Sequence, residues 1–170
     1  MKSKLVFGLI VLLVLIILIA GLKSVLSGPS DVNLPSLYGV LSEQQELINL
    51  TTIGGQQSVS QRYLNFSFTT LGSVTTDQTN LTTLLTANHY TINTTNLVLQ
   101  PSLDSALNQA AQQSNFDPTY GPMMQAQLNK YQQLLSQAYS LNKSNVVRSY
   151  LSADYTNTKM LIKMLSSSSG

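Results

Sequence analysis

The sequence predicts an all-α chain: an up-and-down four-helix bundle with one long crossover, preceded by a single N-terminal transmembrane helix. Three observations lead there. Leu5 to Leu22 is a run of 18 residues without a charge, which as a helix reaches about 27 Å and just spans a bilayer. From Leu34 to Leu165 apolar residues recur at spacings of three, four and seven, the signature of helix faces turned to a core. Residues 89–102, HYTINTTNLVLQPS, interrupt that spacing with β-branched residues, Asn and Pro, and read as an extended connection crossing the end of the bundle.

Taken in order, residues 1–23 form the signal-anchor. Lys2, Lys4 and the terminal amine precede the apolar run and only Lys23 follows closely. The positive-inside bias then places the N-terminus in the cytoplasm and everything after residue 23 outside. The alternative is a secreted protein released by signal cleavage, although the run exceeds the usual length of a signal peptide's apolar region and Leu18 spoils a cut after Ala20. Residues 24–33 hold Gly, Pro, Ser and Asp together and make a juxtamembrane linker.

The ectodomain is expected over 34–165. Its first helix turns Leu37, Val40, Leu41, Leu47 and Ile48 to one side and ends at Gly54 and Gly55. A second helix, from Gln57 to about Asn88, buries Val59, Tyr63, Leu64, Phe66, Phe68, Leu71, Leu81 and Leu85, with Gly72 and several Thr weakening it near 72–76. Ser102 opens a short helix containing Leu107 and Ala110, which FDPTYGP interrupts. After Pro122 the seam Met124, Leu128, Tyr131, Leu135 and Ala138 is the most regular in the chain. Asn142 to Ser144 turn the chain into a last helix burying Val147, Leu151, Tyr155, Thr158, Ile162 and Leu165, followed by a flexible tail, 166–170.

Composition excludes several classes of function. From Pro29 onward six basic residues face seven acidic ones, without a cluster of Lys or Arg, so nucleic acid is not an expected partner. Asn, Gln, Ser and Thr supply 66 of 170 residues while charged residues are 9%, a surface hydrated without strong fields. The chain has no Cys, which removes disulfides, thiolate metal sites and thiol nucleophiles. His89, the single histidine, falls where the second helix ends and reads as a helix-end residue rather than a catalytic base. Asn49, Asn65, Asn80, Asn93 and Asn142 begin N-x-S/T triplets, but several lie inside expected helices and no glycosylation is read from them.

The motif-like residues are Phe116, Asp117 and Tyr120, an FDxxY stretch followed by a helix, a turn and a closing helix. This order resembles a ferritin-like family of secreted or predicted outer-membrane bacterial helical bundles of unknown function. The resemblance implies interior histidines as metal ligands, and none stands near Asp77, Leu128 or Asn157 here. The residues themselves support a structural role: Asp117 and Pro118 are of the types found at N-cap and N1, and Phe116 with Tyr120 can staple a helix start. Glu-x-x-His, the ligand pattern of di-iron bundles, is absent from the sequence. Glu43 and Glu46 meeting Asp77 or Asp154 across the core are the remaining weak metal candidates. No catalytic residue and no cofactor is therefore expected. The reading is a non-enzymatic, membrane-anchored extracytoplasmic bundle acting through protein or envelope contacts, its N-terminal helix in the membrane and its candidate partner a protein of the envelope, with a degenerate ferritin-like metal or small-ligand binder as the alternative.

Overall fold

Asn33 starts the first helix by accepting the Ser36 amide on its side-chain oxygen at 3.0 Å, with Pro35 in the first turn where its missing N–H costs nothing. A computed structural model describes residues 31–167, all helix and connection, without a strand among them. Five α-helices follow one another: α1 Leu34–Gln57, α2 Gln61–Ala87, α3 Pro101–Gln112, α4 Phe116–Leu141 and α5 Asn145–Ser167. No helix of the described residues is long and apolar enough to cross a membrane. The run Leu5–Leu22, most of the linker and residues 168–170 lie outside the described residues.

α1, α2, α5 and α4 surround the core in that order, each packed on the next, while α3 lies against α1 and α4. Hydrogen bonds at the two ends set the helix directions. At the end distant from Asp31, the Asp117 carboxylate opening α4 accepts the amides of Val59 (3.2 Å) and Ser60 (2.8 Å) in the α1–α2 turn. There too Arg62 of α2 donates to the carbonyl of Leu165 near the end of α5 at 2.6 Å. At the near end, the amides of Lys143 and Ser144 in the α4–α5 turn donate to the Asp31 carbonyl at 2.8 and 3.0 Å. The long helices thus run up, down, down, up. The crossover climbs the length of the bundle instead of crossing its end, which makes α2 and α4 parallel.

Two helix ends that feed the crossover close in the same way. His89 (φ 65°) and Ser114 (φ 54°) are left-handed. The amides of His89 and Tyr90 bond the Thr86 and Leu85 carbonyls, and those of Ser114 and Asn115 bond Ala111 and Ala110. This pairing satisfies carbonyls that a helix end would otherwise leave open. His89 is exposed and its backbone serves the helix end.

The α4 seam is buried as expected, with Met124, Leu128, Tyr131, Leu135 and Ala138 all at or below 1% exposure. Other expectations need correction. α1 continues through Gly54 and Gly55 to Gln57, and α2 is unbroken past Gly72. Val59 sits in the α1–α2 turn at 87% exposure, and Phe68 is 61% exposed and packs toward Gly55. α4 begins six residues before Pro122, so neither FDPTYGP nor that proline interrupts it. α5 turns Asp154 inward at 1% exposure and Tyr155 outward at 38%, one residue away from the expected seam.

Candidate functional site

The bundle holds two buried clusters of polar and aromatic side chains. The distal one is built on FDxxY. Tyr120 is fully buried, stacked on Phe116 (ring centroids 5.3 Å) and meeting Tyr63 and Phe66 edge-on at 5.8 and 6.4 Å. Its hydroxyl hydrogen-bonds the Ser67 hydroxyl at 2.8 Å, so the aromatic ring is buried without orphaning its polar end. Gly54 and Gly121 make room for this: a Cβ on Gly54 would collide with the Tyr120 ring and with Ser67, and one on Gly121 with Tyr63. Asp117 does not cap its own helix, whose N-cap is Asn115. It accepts from the α1–α2 turn instead, fixing the distal ends of three helices together. Burial and packing of Phe116 and Tyr120 outweigh the bond lost at Pro122, a loss of about 3 kcal/mol in an isolated helix.

The second cluster occupies the middle of the core. Gln44 of α1, Asp77 of α2, Tyr131 of α4 and Asp154 of α5 stand at seam positions of their helices, flanked three or four residues away by Leu41 and Leu47, Val74 and Leu81, Leu128 and Leu135, and Leu151. Each long helix therefore sends one polar side chain into the same layer, joined by Tyr150 of α5. The Gln44 amide nitrogen lies 2.6 Å from the Tyr131 hydroxyl, 2.9 Å from that of Tyr150 and 3.2 Å from Asp154 Oδ2. Tyr131 donates to Asp154 Oδ2. Tyr150 has one hydroxyl proton for two acceptors, the Asp77 carbonyl at 2.8 Å and Asp154 Oδ2 at 3.0 Å.

Donors therefore crowd one carboxylate oxygen. Asp154 Oδ1 and Gln44 Oε1 are buried without a hydrogen-bond partner. Burial raises the Asp154 carboxyl to about 6, against the pull of hydrogen bonds from Tyr131, Tyr150, Asp77 and Gln44. Asp77 is raised well above the ordinary carboxylate range, first by burial and then by the charge and hydrogen bond of Asp154, while Asn157 and Ser73 oppose the shift. Burial raises both carboxyls and the charge of Asp154 opposes ionisation of Asp77, so the two titrate as a pair. The Tyr131 and Tyr150 phenols are pushed up by burial and by the Asp154 charge, and so stay protonated as donors.

Glu43 and Glu46 do not join this layer. Glu43 pairs with Lys130, and burial raises its carboxyl against that pairing. Glu46 accepts the Gln100 amide at 2.7 Å, capping the start of α3, and burial raises it likewise. Of the four acids considered as ligands, Asp77 and Asp154 come together and the two glutamates serve separate contacts. Among the described residues, no group of three or more His, Cys, Asp or Glu is placed to hold a metal ion. A shallow cleft of about 340 Å³ lined by Arg62, Asn65, Phe66, Met164 and Leu165 opens at the distal end between α2 and α5, away from the acid layer.

Gln44, Tyr131 and Tyr150 were not singled out from sequence as partners of the acids. The available signal was a polar residue at a seam position in each of four helices, which reads as noise until the helices are aligned. Comparison of the chain with family models, curated proteins and solved structures finds no match in any of the three.

Proposed function

We propose that this chain is a membrane-anchored, extracytoplasmic helical-bundle domain that works without catalysis, through contacts with the envelope or a protein partner. The observation that carries this reading is the use to which the fold puts its reactive side chains. Glu43 is held by Lys130, Glu46 caps α3, Asp117 clamps the α1–α2 turn, and Asp77 and Asp154 share a sealed layer with two tyrosines. Acids spent on holding helices together suit a scaffold. The apolar run Leu5–Leu22 supplies the anchor in this reading. The test is expression of the full chain in a bacterial host, followed by mass spectrometry of the membrane fraction and digestion of intact spheroplasts. The expected result is an uncleaved chain whose bundle is digested from outside. A chain lacking its apolar run would make the protein secreted, and a bundle digested only after lysis would overturn the orientation.

A second reading, a degenerate ferritin-like ligand binder, is favoured by one observation: the unpartnered Asp154 Oδ1 and Gln44 Oε1 beside Asp77. The up, down, down, up helix order with one crossover is consistent with that likeness. An all-oxygen set of this kind suits a hard cation of the Mg²⁺ or Ca²⁺ class. A ligand that binds only the native state raises the melting midpoint, so melts with added divalent ions decide it. No shift with any ion removes this reading.

A further inference from the structure

We propose that the solvent face of α5 is a docking surface for the anionic headgroups of the bilayer to which the chain is attached. The proposal rests on the anchored reading above. Its ground is a segregation of charge that the fold creates and that net charge conceals. The acids of α2 and α5, Asp77 and Asp154, are both turned into the core. The remaining charged side chains of these two helices are all cations: Arg62, Arg148, Lys159 and Lys163. Glu43, Glu46, Asp104 and Asp117 stand on α1, α3 and α4, and Asp31, at the end where α5 starts, precedes α1 and lies outside both helices.

Along α5 the cations fall into a row. Arg148, Tyr155, Lys159 and Lys163 are spaced seven, four and four, which places them on one side of a helix. At 1.5 Å per residue the row is about 22 Å long. Lys159 and Lys163 are exposed, Tyr155 and Met160 are 38% and 58% exposed, and the Arg148 guanidinium lies over the Tyr139 ring at 4.2 Å. Cations interleaved with Tyr and Met, without an acid on that face, have the composition of an interfacial helix face.

The path of the chain selects the bilayer as the occupant. α5 starts beside the point where the chain comes in, because Lys143 and Ser144 hold the Asp31 carbonyl. Eight residues separate Leu22 from Asp31, a tether of at most about 28 Å. That tether keeps the α5 face at high effective concentration over the membrane surface. Each cation near an anionic leaflet favours docking roughly fivefold.

The chain has no Trp, so two single-Trp variants report on the two sides. Y155W lies in the row, while V98W lies on the crossover, where Val98 is 75% exposed and bonded to Ser42 of α1, diagonally opposite α5. The full chain is reconstituted in vesicles of brominated phosphatidylcholine with or without phosphatidylglycerol, and flotation reads the anchor independently of docking. With phosphatidylglycerol, the Y155W emission is expected to shift blue and be quenched while V98W is unchanged. Salt at about 1 M, with a Debye length near 3 Å, is expected to reverse the effect. Replacing both exposed lysines, K159A with K163A, is expected to lower the docked-to-free ratio about 25-fold at an unchanged melting midpoint. A chain that does not float with vesicles removes the anchor. A chain that floats but shows no quenching of Y155W, or equal quenching of both reporters, overturns the docking surface alone. Quenching that ignores salt and lipid charge overturns its electrostatic basis. A Y155W shift produced equally by soluble polyphosphate makes the face a polyanion site and overturns the lipid assignment.

Discussion

The distal aromatic cluster and the central acid layer are both buried and both join helices that are distant in sequence, yet they satisfy their polar atoms differently. Around Tyr120 one hydroxyl meets one hydroxyl, Ser67 also donates to the Tyr63 carbonyl at 2.7 Å, and the rest of the contact is apolar. Around Asp154 several donors converge on one oxygen while its twin and the Gln44 carbonyl oxygen have no partner. The first cluster contributes stability through packing that does not depend on protonation. The second holds helices in register through two carboxyls that burial raises, so its contribution depends on their protonation.

The largest effect expected from breaking this contrast is at Tyr120. Tyr120→Ala removes a fully buried ring from a site closed by three other aromatic residues and is expected to cost about 3–5 kcal/mol. Tyr120→Phe keeps the ring, and Ser67 keeps its bond to the Tyr63 carbonyl, so its cost falls to about 1 kcal/mol. Denaturant titration of the two variants in detergent checks the ratio. Similar costs for both would place the value of the cluster in its hydroxyls and not in its packing.

The acid layer is expected to show itself in pH dependence. A carboxyl raised in the folded state binds more protons there than in the unfolded chain, so the stability it contributes is present at low pH and lost as pH rises. For Asp154 the loss runs from about 4, its unfolded value, to about 6, and Asp77 extends it to higher pH. The raised carboxyls of Glu43 and Glu46 act with the same sign. The melting midpoint is therefore expected to be higher near about pH 5 than near about pH 8. Asp77→Asn, which supplies a permanent donor beside Asp154, is expected to flatten that slope without unfolding the bundle. A midpoint that rises with pH, or a slope unchanged in Asp77→Asn, would show that the two carboxyls do not titrate as a raised pair.

These clusters also mark where the sequence could be read and where it could not. The α4 seam was legible because every position in it is apolar or Tyr, and all five residues expected inward are inward. On α5 the apolar spacing places Val147, Leu151, Thr158 and Leu165 inward and they are buried, but at one turn binary patterning turns an acid outward and a tyrosine inward, whereas Asp154 is buried and Tyr155 exposed. The exception is stabilised by Gln44, Tyr131 and Tyr150, two of which lie on other helices, so no local pattern on α5 could announce it. The same inversion hid the row of cations, which are too far apart in sequence to look like a cluster and align only once the inward face of α5 is known. At the distal end, Pro and Gly in FDPTYGP signalled a break, but the long-range fit of Tyr120 against Gly54 and Ser67 kept the helix whole.

The smallest effects come from one substitution made at two glycines, and their opposite signs separate packing from propensity. Both Gly54 and Gly72 lie inside helices, where alanine is intrinsically favoured by about 1 kcal/mol. At Gly54 the new Cβ would collide with the Tyr120 ring and the Ser67 hydroxyl, and the buried ring has nowhere to retreat. Overpacking of this kind costs about 1–3 kcal/mol, so Gly54→Ala is expected to destabilise despite the propensity gain. At Gly72 a Cβ meets nothing within 4 Å and the position is exposed. Gly72→Ala therefore keeps the whole gain, partly by restricting the unfolded chain, and is expected to stabilise by roughly 0.5–1 kcal/mol. Paired melts of the two variants measure the difference. If Gly72→Ala also destabilised, the middle of α2 would depend on a flexibility that its unbroken hydrogen-bonded path does not suggest. If Gly54→Ala were neutral, Tyr120 would have freedom to move, and the contrast between a packed distal cluster and a proton-dependent central one would lose its first half.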